Sequence, residues 1–203
     1  MGRQIGPRCK KCRRIGESVC GSQKCAIIKR NFPPGLHGAN QFRRLSEFGL
    51  QLREKQKVKL IYGVQEKQFR NYYDKASSKH GNTGEELMLQ LETRLDNAVF
   101  RAGFAETRRQ ARQLVTHGHF MVDGRRCDIP SRSLRIGEKI ELREKSKKGK
   151  FYEEHAPYFK TYEAPKWLEV DKANMSFAVA ALPGKEDIQQ NIAINLIVEF
   201  YSR

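Results

Sequence analysis

The sequence lacks any apolar run long enough to cross a membrane. A membrane-spanning helix needs roughly 20 apolar residues, and the 203-residue chain contains no such stretch. Residues 1–11 carry basic side chains, but no apolar segment follows them, so a secretory signal is not expected. We therefore expect a reducing, cytosolic location.

The sequence also lacks the short motifs of common catalytic sites. It contains no Gly-x4-Gly-Lys-Ser/Thr phosphate loop, no His-Glu-x2-His metal motif and no Gly-x-Ser-x-Gly nucleophile motif. It shows no internal repeat and no long low-complexity tract. Because these motifs are absent, we expect that the chain is not an enzyme.

Acidic residues are scarce: 23 Asp and Glu stand against 39 Lys and Arg, which gives a formal net charge of +16. Positive charge of this size repels itself in a compact state, so an anionic partner is expected. Residues 1–60 hold 15 basic against 3 acidic residues, and residues 101–150 hold 14 against 6. Two separate basic surfaces suit an extended polyanion, which can contact both.

The hydrophobic pattern predicts an α+β fold: a mainly helical body with an inserted small α/β domain of two helices and a short twisted sheet. Residues 1–45 are expected to be irregular, since they combine many basic residues with Pro33 and Pro34, which restrict the backbone. Residues 46–91 form the predicted helical body, completed by 150–203, and residues 92–149 form the inserted domain.

The helical body is predicted to begin at Ser46, a suitable N-cap, with a helix that ends at Gly63. A second helix is predicted over 65–79. A third is predicted from Thr83, whose capping box with Glu86 precedes an apolar stripe that ends at Gly103. The apolar segment 193–200 is predicted to be a strand, and 167–170 a weaker one.

The inserted domain contains the hairpin signal of the chain. Thr107 and Gln110 are predicted to cap a short helix over 108–117. Asp123 and Gly124 separate two strand-like runs, and an Asp-Gly pair in that position indicates a tight hairpin turn. Residues 139–142 alternate in polarity, as a half-buried strand does.

Four of the five cysteines form the pattern Cys9-x2-Cys12-x7-Cys20-x4-Cys25. Two short cysteine pairs supply the four ligands of a tetrahedral zinc, and the basic residues near them favour thiolates. The pattern predicts one structural zinc that staples the N-terminal segment; free or redox-active thiols are the alternative. Cys127 is interpreted as a small buried residue.

Arg108, Arg109 and Arg112 lie in the first turns of the predicted helix 108–117. Cations there oppose the helix dipole, and a bound phosphate would reverse that penalty. We interpret the arginines as a phosphate site; a solvated polar face is the alternative. His117 and His119 are interpreted as RNA contacts rather than a metal pair.

Several segments closely resemble the RNA-binding domain named after small-subunit ribosomal protein S-four: LETRLDN (91–97), RAGFA (101–105), TRRQARQLV (107–115), HGH (117–119) and VDGRR (122–126). RNA-modifying enzymes also carry this domain. Its flanks here resemble the full-length bacterial or organellar ribosomal protein: MGR (1–3), PPGLHG (33–38), LREKQK (52–57), IYG (61–63), QFR (68–70) and EFYSR (199–203).

The resemblance implies a structural protein of the small ribosomal subunit. It implies a primary binder of small-subunit rRNA that nucleates assembly of the subunit body and supports translational accuracy. It further implies contact with small-subunit protein S-five and with messenger RNA where it enters the subunit. Some family members repress translation of their own messenger RNA, and some bear zinc.

The expected RNA contacts are the cations and histidines of the two basic blocks. They are Arg3, Lys10, Lys11, Arg13, Arg14, Arg43, Arg44, Arg53, Lys55, Lys57, Arg108, Arg109, Arg112, His117, His119, Arg125 and Arg126. A pseudouridine-synthase-like enzyme is disfavoured because residues 1–90 leave no room for a catalytic domain. A zinc-dependent DNA-binding regulator is disfavoured because no reading helix or dimer interface can be identified.

Overall fold

The computed structural model describes residues 6–22, 24–40, 45–184, 186–188 and 191–203. The helices are α1 (Arg8–Ile15), α2 (Glu47–Tyr62), α3 (Glu66–Ser77), α4 (Thr83–Glu92), α5 (Leu95–Arg101), α6 (Arg108–Thr116), α7 (Glu144–Lys147), α8 (Lys150–Thr161) and α9 (Ile194–Tyr201). The strands are β1 (Phe120–Val122), β2 (Arg125–Arg126), β3 (Lys139–Leu142), β4 (Leu168–Asp171) and β5 (Ser176–Val179). The predicted α+β class is confirmed.

The chain divides into two compact units. The first contains the described residues up to Leu87 together with those from Asn191 to the C-terminus, and the second contains Met88–Gln190. The sequence pattern assigned all of 150–203 to the helical body, whereas residues 150–190 lie in the second unit. They supply α8, β4 and β5 to its core. Among the described residues, no helix combines the length and apolarity that crossing a membrane requires.

The start and end of α2 follow the predicted capping. Ser46 Oγ accepts a hydrogen bond from the Gly49 N–H at 3.2 Å, and Gly63 adopts a left-handed conformation with φ of 63° after the last turn. The predicted capping box of the third helix is wrong. The Asn82 side chain, one residue before Thr83, accepts from the N–H groups of Gly84 and Glu85.

The predicted C-terminal strand over 193–200 is wrong, because Ile194–Tyr201 forms α9. An apolar run of this length satisfies both periodicities, and its neighbours decide between them. In the first unit Tyr201 stacks on Tyr73 of α3 with centroids 4.6 Å apart, and the Gln51 side chain of α2 donates to Glu199 at 3.0 Å.

The N-terminal segment is more regular than predicted, because Arg8–Ile15 forms α1. Cys12 and Ile15 are buried on one side of this helix. Gly16 ends it in a left-handed conformation with φ of 86°. For the described residues 16–22, 24–40 and 45, the irregular prediction holds apart from one 3-10 turn at Gly38–Asn40.

The second unit is built on an antiparallel sheet of strand order β2-β1-β3-β5-β4. Asp123 and Gly124, with φ of 48° and 74°, form the predicted tight turn between β1 and β2. Phe104 packs at the centre of the apolar core, with its ring 5.6 Å from Phe120 and 4.6 Å from Phe159. Cys127 lies in this core at 6% exposure, as predicted.

The predicted third helix is interrupted between α4 and α5. Arg94 adopts an extended conformation, with ψ of 139°, and pairs across an isolated bridge with Ser133. The Leu95 N–H donates to the Arg132 carbonyl at 2.8 Å, and the Leu134 N–H donates to the Thr93 carbonyl at 2.9 Å. Hydrogen bonds to distant residues therefore replace the helical hydrogen bonds at this point of the chain. Hydrophobic periodicity alone does not predict such an interruption.

Candidate nucleic-acid interface and metal centre

The arginine cluster lies on helix α6, whose buried face fixes the orientation of the helix. Ala111 and Val115 are fully buried in the core of the second unit. Thr107 caps the helix, because its hydroxyl accepts from the Gln110 N–H at 3.3 Å. The predicted cap is therefore confirmed, and the polar face of α6 has a defined orientation.

Two of the three arginines of α6 are oriented by side chains of α5. Arg108 Nε donates to Asn97 Oδ1 at 2.8 Å, and Arg112 Nη1 lies 3.1 Å from Asp96 Oδ2. Arg109 is exposed. The helix thus presents one exposed guanidinium and two whose rotamers are fixed by hydrogen bonds.

The side chains beneath this surface form a buried charged network. Glu92 is fully buried and accepts from Arg101 at 2.9 and 3.1 Å and from Asn97 at 2.6 Å. Asp96 accepts two bonds from Arg94, at 3.0 and 2.7 Å. Buried carboxylates of this kind require partners. Glu92, Asp96 and Asn97 were not among the predicted functional residues, and the sequence marks them only by their place in the LETRLDN segment.

The histidine turn follows α6. His119 Nδ1 lies 2.8 Å from Ser146 Oγ, and its ring centroid is 6.1 Å from that of His117. Burial lowers the pKa of His119, and electrostatic interactions with His117 and Arg143 lower it further.

The hairpin places two further arginines on the surface of the same unit. Arg125 and Arg126 of β2 are both exposed and pair with Val122 and Met121 of β1. The Arg126 guanidinium packs so closely over Gly118 that a Cβ at this glycine would overlap it. The basic side chain of the hairpin is thus in contact with the turn that ends α6.

The predicted RNA contacts of the first basic block divide by exposure. Arg3, Arg43 and Arg44 lie outside the described residues. Lys10 and Arg14 of α1 are exposed, and Lys11 and Arg13 are half-buried. Arg13 donates to the Phe32 carbonyl at 2.9 Å. It therefore ties α1 to the loop that follows it.

The predicted contacts on α2 make internal bonds of the first unit. Lys55 is 5% exposed and lies 2.8 Å from Glu66, and Lys57 is 2% exposed and lies 2.7 Å from Glu17. The Arg53 guanidinium donates to the Ile15 carbonyl. These three cations therefore fix α2 to its neighbours. Periodicity did not reveal this burial, because the basic residues of α2 are divided between two opposite faces of the helix.

The cysteine pattern converges in the structure. The sulfurs of Cys12, Cys20 and Cys25 all lie within 4.8 Å of one another. Cys9 packs against the same cluster but is not part of that group of three. Tetrahedral zinc with Zn–S bonds of about 2.3 Å separates its sulfurs by roughly 3.8 Å, so the three thiols fit such a site with small adjustments. Cys9 is available as the fourth ligand.

The thiols differ in acidity. Burial raises the pKa of Cys12 to about 12, and hydrogen bonding with Cys20 raises it too. Burial also pushes the pKa of Cys25 upward, but hydrogen bonds from the Ile27 backbone and the Ser18 side chain hold it at about 7. Zinc binds thiolates, so an ion bound among these sulfurs would displace their protons.

Comparison with known proteins decides the family. Residues 3–92 match the family described as "Ribosomal protein S4/S9 N-terminal domain", and residues 93–140 match the "S4 domain". "Small ribosomal subunit protein uS4" of Acetivibrio thermocellus is 50% identical over 209 residues, covering 100% of both chains. The chain belongs to the uS4 family. The uS4 proteins of Persephonella marina and Caldicellulosiruptor saccharolyticus are 49% and 50% identical, again over 100% of both chains.

Membership of the uS4 family confirms the resemblance drawn from the sequence. The family is a structural, non-enzymatic component of the small ribosomal subunit, and its ribosomal role is consistent with rRNA binding. This agrees with the expectation that the chain is not an enzyme. The S4 domain match includes α5, α6 and the β1–β2 hairpin, which carry the second basic block.

Proposed function

We propose that this chain is a primary binder of small-subunit rRNA in the cytoplasmic ribosome. The protein would recognise a folded RNA junction by contacts with its phosphate backbone and by its shape. The observation that carries the proposal is the arginine face of α6. There, Arg108 and Arg112 are oriented by Asn97 and Asp96, and Arg109 is exposed. Side chains that are already ordered lose less entropy on binding.

Shape recognition suits these residues because double-stranded RNA hides its base edges in a narrow major groove. Arginine forks match phosphate oxygens in geometry as well as in charge. The proposed contacts of the second unit are Arg108, Arg109, Arg112, His117, His119, Arg125 and Arg126. Those of the first are Arg3, Lys10, Lys11, Arg13, Arg14, Arg43, Arg44 and the half-buried Arg53, whereas Lys55 and Lys57 are buried and pair with Glu66 and Glu17.

The experiment is equilibrium binding of the full chain to small-subunit rRNA without other proteins, and to an unrelated structured RNA, from 50 to 200 mM salt. If about six to ten phosphates are neutralised, affinity should fall about 10³- to 10⁵-fold across this range, by analogy with DNA. Preference for the ribosomal RNA supports the proposal. Equal binding to both RNAs contradicts it, and duplex DNA should compete poorly.

A double variant tests the α6 face within the same experiment. Arg109→Ala with Arg112→Ala should reduce the affinity for small-subunit rRNA and the salt dependence of binding. The control is Lys160→Ala with Lys166→Ala, which removes the same charge from exposed positions of the same unit. Unchanged affinity in the arginine variant would remove α6 from the interface, provided that circular dichroism shows a folded protein.

We propose that the chain also acts in subunit assembly and in translation. We infer that the chain nucleates assembly of the subunit body, contacts small-subunit protein S-five and messenger RNA near its point of entrance, and supports translational accuracy. Repression of its own messenger RNA, as in some family members, belongs to the same proposal. Similarity to uS4 proteins along the whole chain supports these inferences. Reconstitution of the subunit with and without the chain tests the first of them.

We also propose that the cysteine cluster binds one structural zinc through Cys9, Cys12, Cys20 and Cys25. The convergence of three of these sulfurs supports it. The bound ion would connect α1 to Cys20 and Cys25 and so hold Lys10 and Arg14 in place. All four positions would be filled by the protein, so the ion would stabilise the fold rather than activate water.

A further inference from the structure

The segment over 143–148 carries four cations that sequence analysis did not assign to the RNA interface. Arg143, Lys145, Lys147 and Lys148 surround a single acidic residue, Glu144. The segment follows β3 and contains α7. Lys145 and Lys148 are exposed, whereas Lys147 pairs with Glu144 at 2.6 Å.

Three hydrogen bonds fix this segment to the histidine turn after α6. The Arg143 N–H donates to the His119 carbonyl at 2.9 Å, and Arg143 Nη1 donates to the Gly118 carbonyl at 3.1 Å. Ser146, which is only 9% exposed, meets His119 Nδ1 at 2.8 Å. The lysines of α7 therefore occupy a defined place beside the turn.

Positive charge converges on Gly118 from two directions. The Arg126 guanidinium occupies the space that a Cβ at Gly118 would take, and the Arg143 guanidinium donates to the Gly118 carbonyl. His119 is the next residue in the chain, and Arg143 contributes, after burial and His117, to lowering its pKa. Like charges held this close repel each other, and a bound anion would relieve that repulsion.

We propose that α7 extends the RNA interface: Arg126, Arg143, Lys145 and Lys148 bind phosphates of the RNA backbone, and the His119–Ser146 contact positions the lysines. This inference rests on the proposed function, because the RNA is the one bound by α6 and the hairpin. RNA is favoured over an acidic protein because the segment and the β1–β2 hairpin both contact Gly118. The hairpin exposes Arg125 and Arg126, which are already proposed to bind RNA.

The test is salt-dependent binding of the full chain to small-subunit rRNA, comparing wild type with Lys145→Ala plus Lys148→Ala. Removing one phosphate-binding cation should reduce the slope of log affinity against log salt by about one, so the variant's slope should fall by about two. Lys160→Ala plus Lys166→Ala again removes equal charge and should leave the slope unchanged. An α7 variant with the wild-type slope would overturn the inference.

The positioning role of Ser146 is tested by a double-mutant cycle. Ser146→Ala alone should reduce the slope, because the lysines lose their fixed placement. In the background that lacks Lys145 and Lys148, it should have little further effect. Equal effects in both backgrounds would contradict positioning and indicate a general loss of stability, which an unfolding midpoint measures directly.

Failure of this inference is distinguishable from failure of the proposed function. If wild type prefers small-subunit rRNA but the α7 variant binds like wild type, only the inference fails. If wild type shows no preference, the proposed function fails, and the slope comparison still decides whether α7 contacts phosphates. Unchanged RNA binding combined with weaker binding to another ribosomal protein would assign α7 to an acidic partner and overturn the inference.

Discussion

The buried carboxylate of Asp96 binds the guanidinium of Arg112, with Asp96 Oδ2 3.1 Å from Arg112 Nη1. Asp96 is 4% exposed and is also bound by Arg94, which is 1% exposed. One carboxylate thus neutralises a buried arginine and orients a second arginine of the proposed interface. Stability and RNA binding are therefore coupled at this residue.

Asp96→Asn should destabilise the chain by about 3 kcal/mol, because it removes the carboxylate that pairs with the buried guanidinium of Arg94. Arg112 would also lose its orienting contact, so affinity for small-subunit rRNA should fall. Urea unfolding followed by circular dichroism measures the first effect. Asp128→Asn, at an exposed position, is the control and should change stability by less than about 0.5 kcal/mol. Equal stability of the two variants would show that Asp96 is not needed to hold Arg94.

Gly118→Ala should weaken RNA binding beyond its effect on stability. Gly118 has φ of 71°, and an added Cβ would displace Arg126. Gly137→Ala is a matched control, since Gly137 has φ of 87° but open space around its Cβ position. Both variants should lose about 1 to 2 kcal/mol from backbone strain. Only Gly118→Ala should reduce the salt slope of RNA binding, and the same slope in both variants would exclude a role for Arg126.

The first unit should lose stability in acid through Glu66. Partial burial pushes the pKa of Glu66 upward, but hydrogen bonds from Lys55, Lys59 and Tyr201 hold it at about 2. A depressed pKa contributes stability above the unfolded value of about 4.3, and this stability is lost as pH falls toward 2. The contribution is reduced by solvent screening, because the side chain is 47% exposed.

Unfolding of wild type and Glu66→Gln between pH 7 and pH 3 measures this contribution. Wild type should be the more stable at pH 7, and the difference should shrink as pH falls below about 4.3. Glu163→Gln, at an exposed position, is the control. A difference that stays constant with pH would mean that the substitution acts through packing rather than through charge.

The purified chain should contain one zinc ion. Cys20→Ser should lose the metal, because Cys20 lies within the group of three sulfurs, and α1 should become more susceptible to proteolysis. Cys127→Ser changes a cysteine in the core of the second unit and should retain the metal. Zinc content by atomic absorption, with release by a chelator, measures the outcome. A metal-free wild type with four titratable thiols in the N-terminal segment would favour the alternative of free cysteines.

Local sequence signals predicted the elements whose boundaries depend on one or two residues. Ser46 caps α2, Thr107 caps α6, and the Asp123–Gly124 turn joins β1 to β2, because each signal acts through hydrogen bonds or dihedral angles within a few residues. The same locality explains the error at the third helix. Asn82 and Thr83 are adjacent and both suit an N-cap, so the sequence pattern does not choose between them.

The remaining differences depend on residues distant in sequence. The sequence of segment 193–200 predicts a strand, but its contacts with α2 and α3 stabilise a helix instead. Lys55 and Lys57 were predicted to contact RNA, but in the structure they are buried and pair with Glu66 and Glu17. The burial of a lysine cannot be predicted from its charge. Its position in the fold determines whether its ammonium group contacts solvent, a carboxylate or a phosphate.

Composition and short motifs are sufficient to predict the α+β class, the uS4 resemblance, the two basic blocks and the cysteine spacing. Folding establishes which cations face outward, and it brings Cys12, Cys20 and Cys25 together. It also places Arg143 and Ser146 against the histidine turn. These relationships join segments separated by many residues, and they arise from the burial of apolar side chains in the separate core of each unit, which no local pattern encodes.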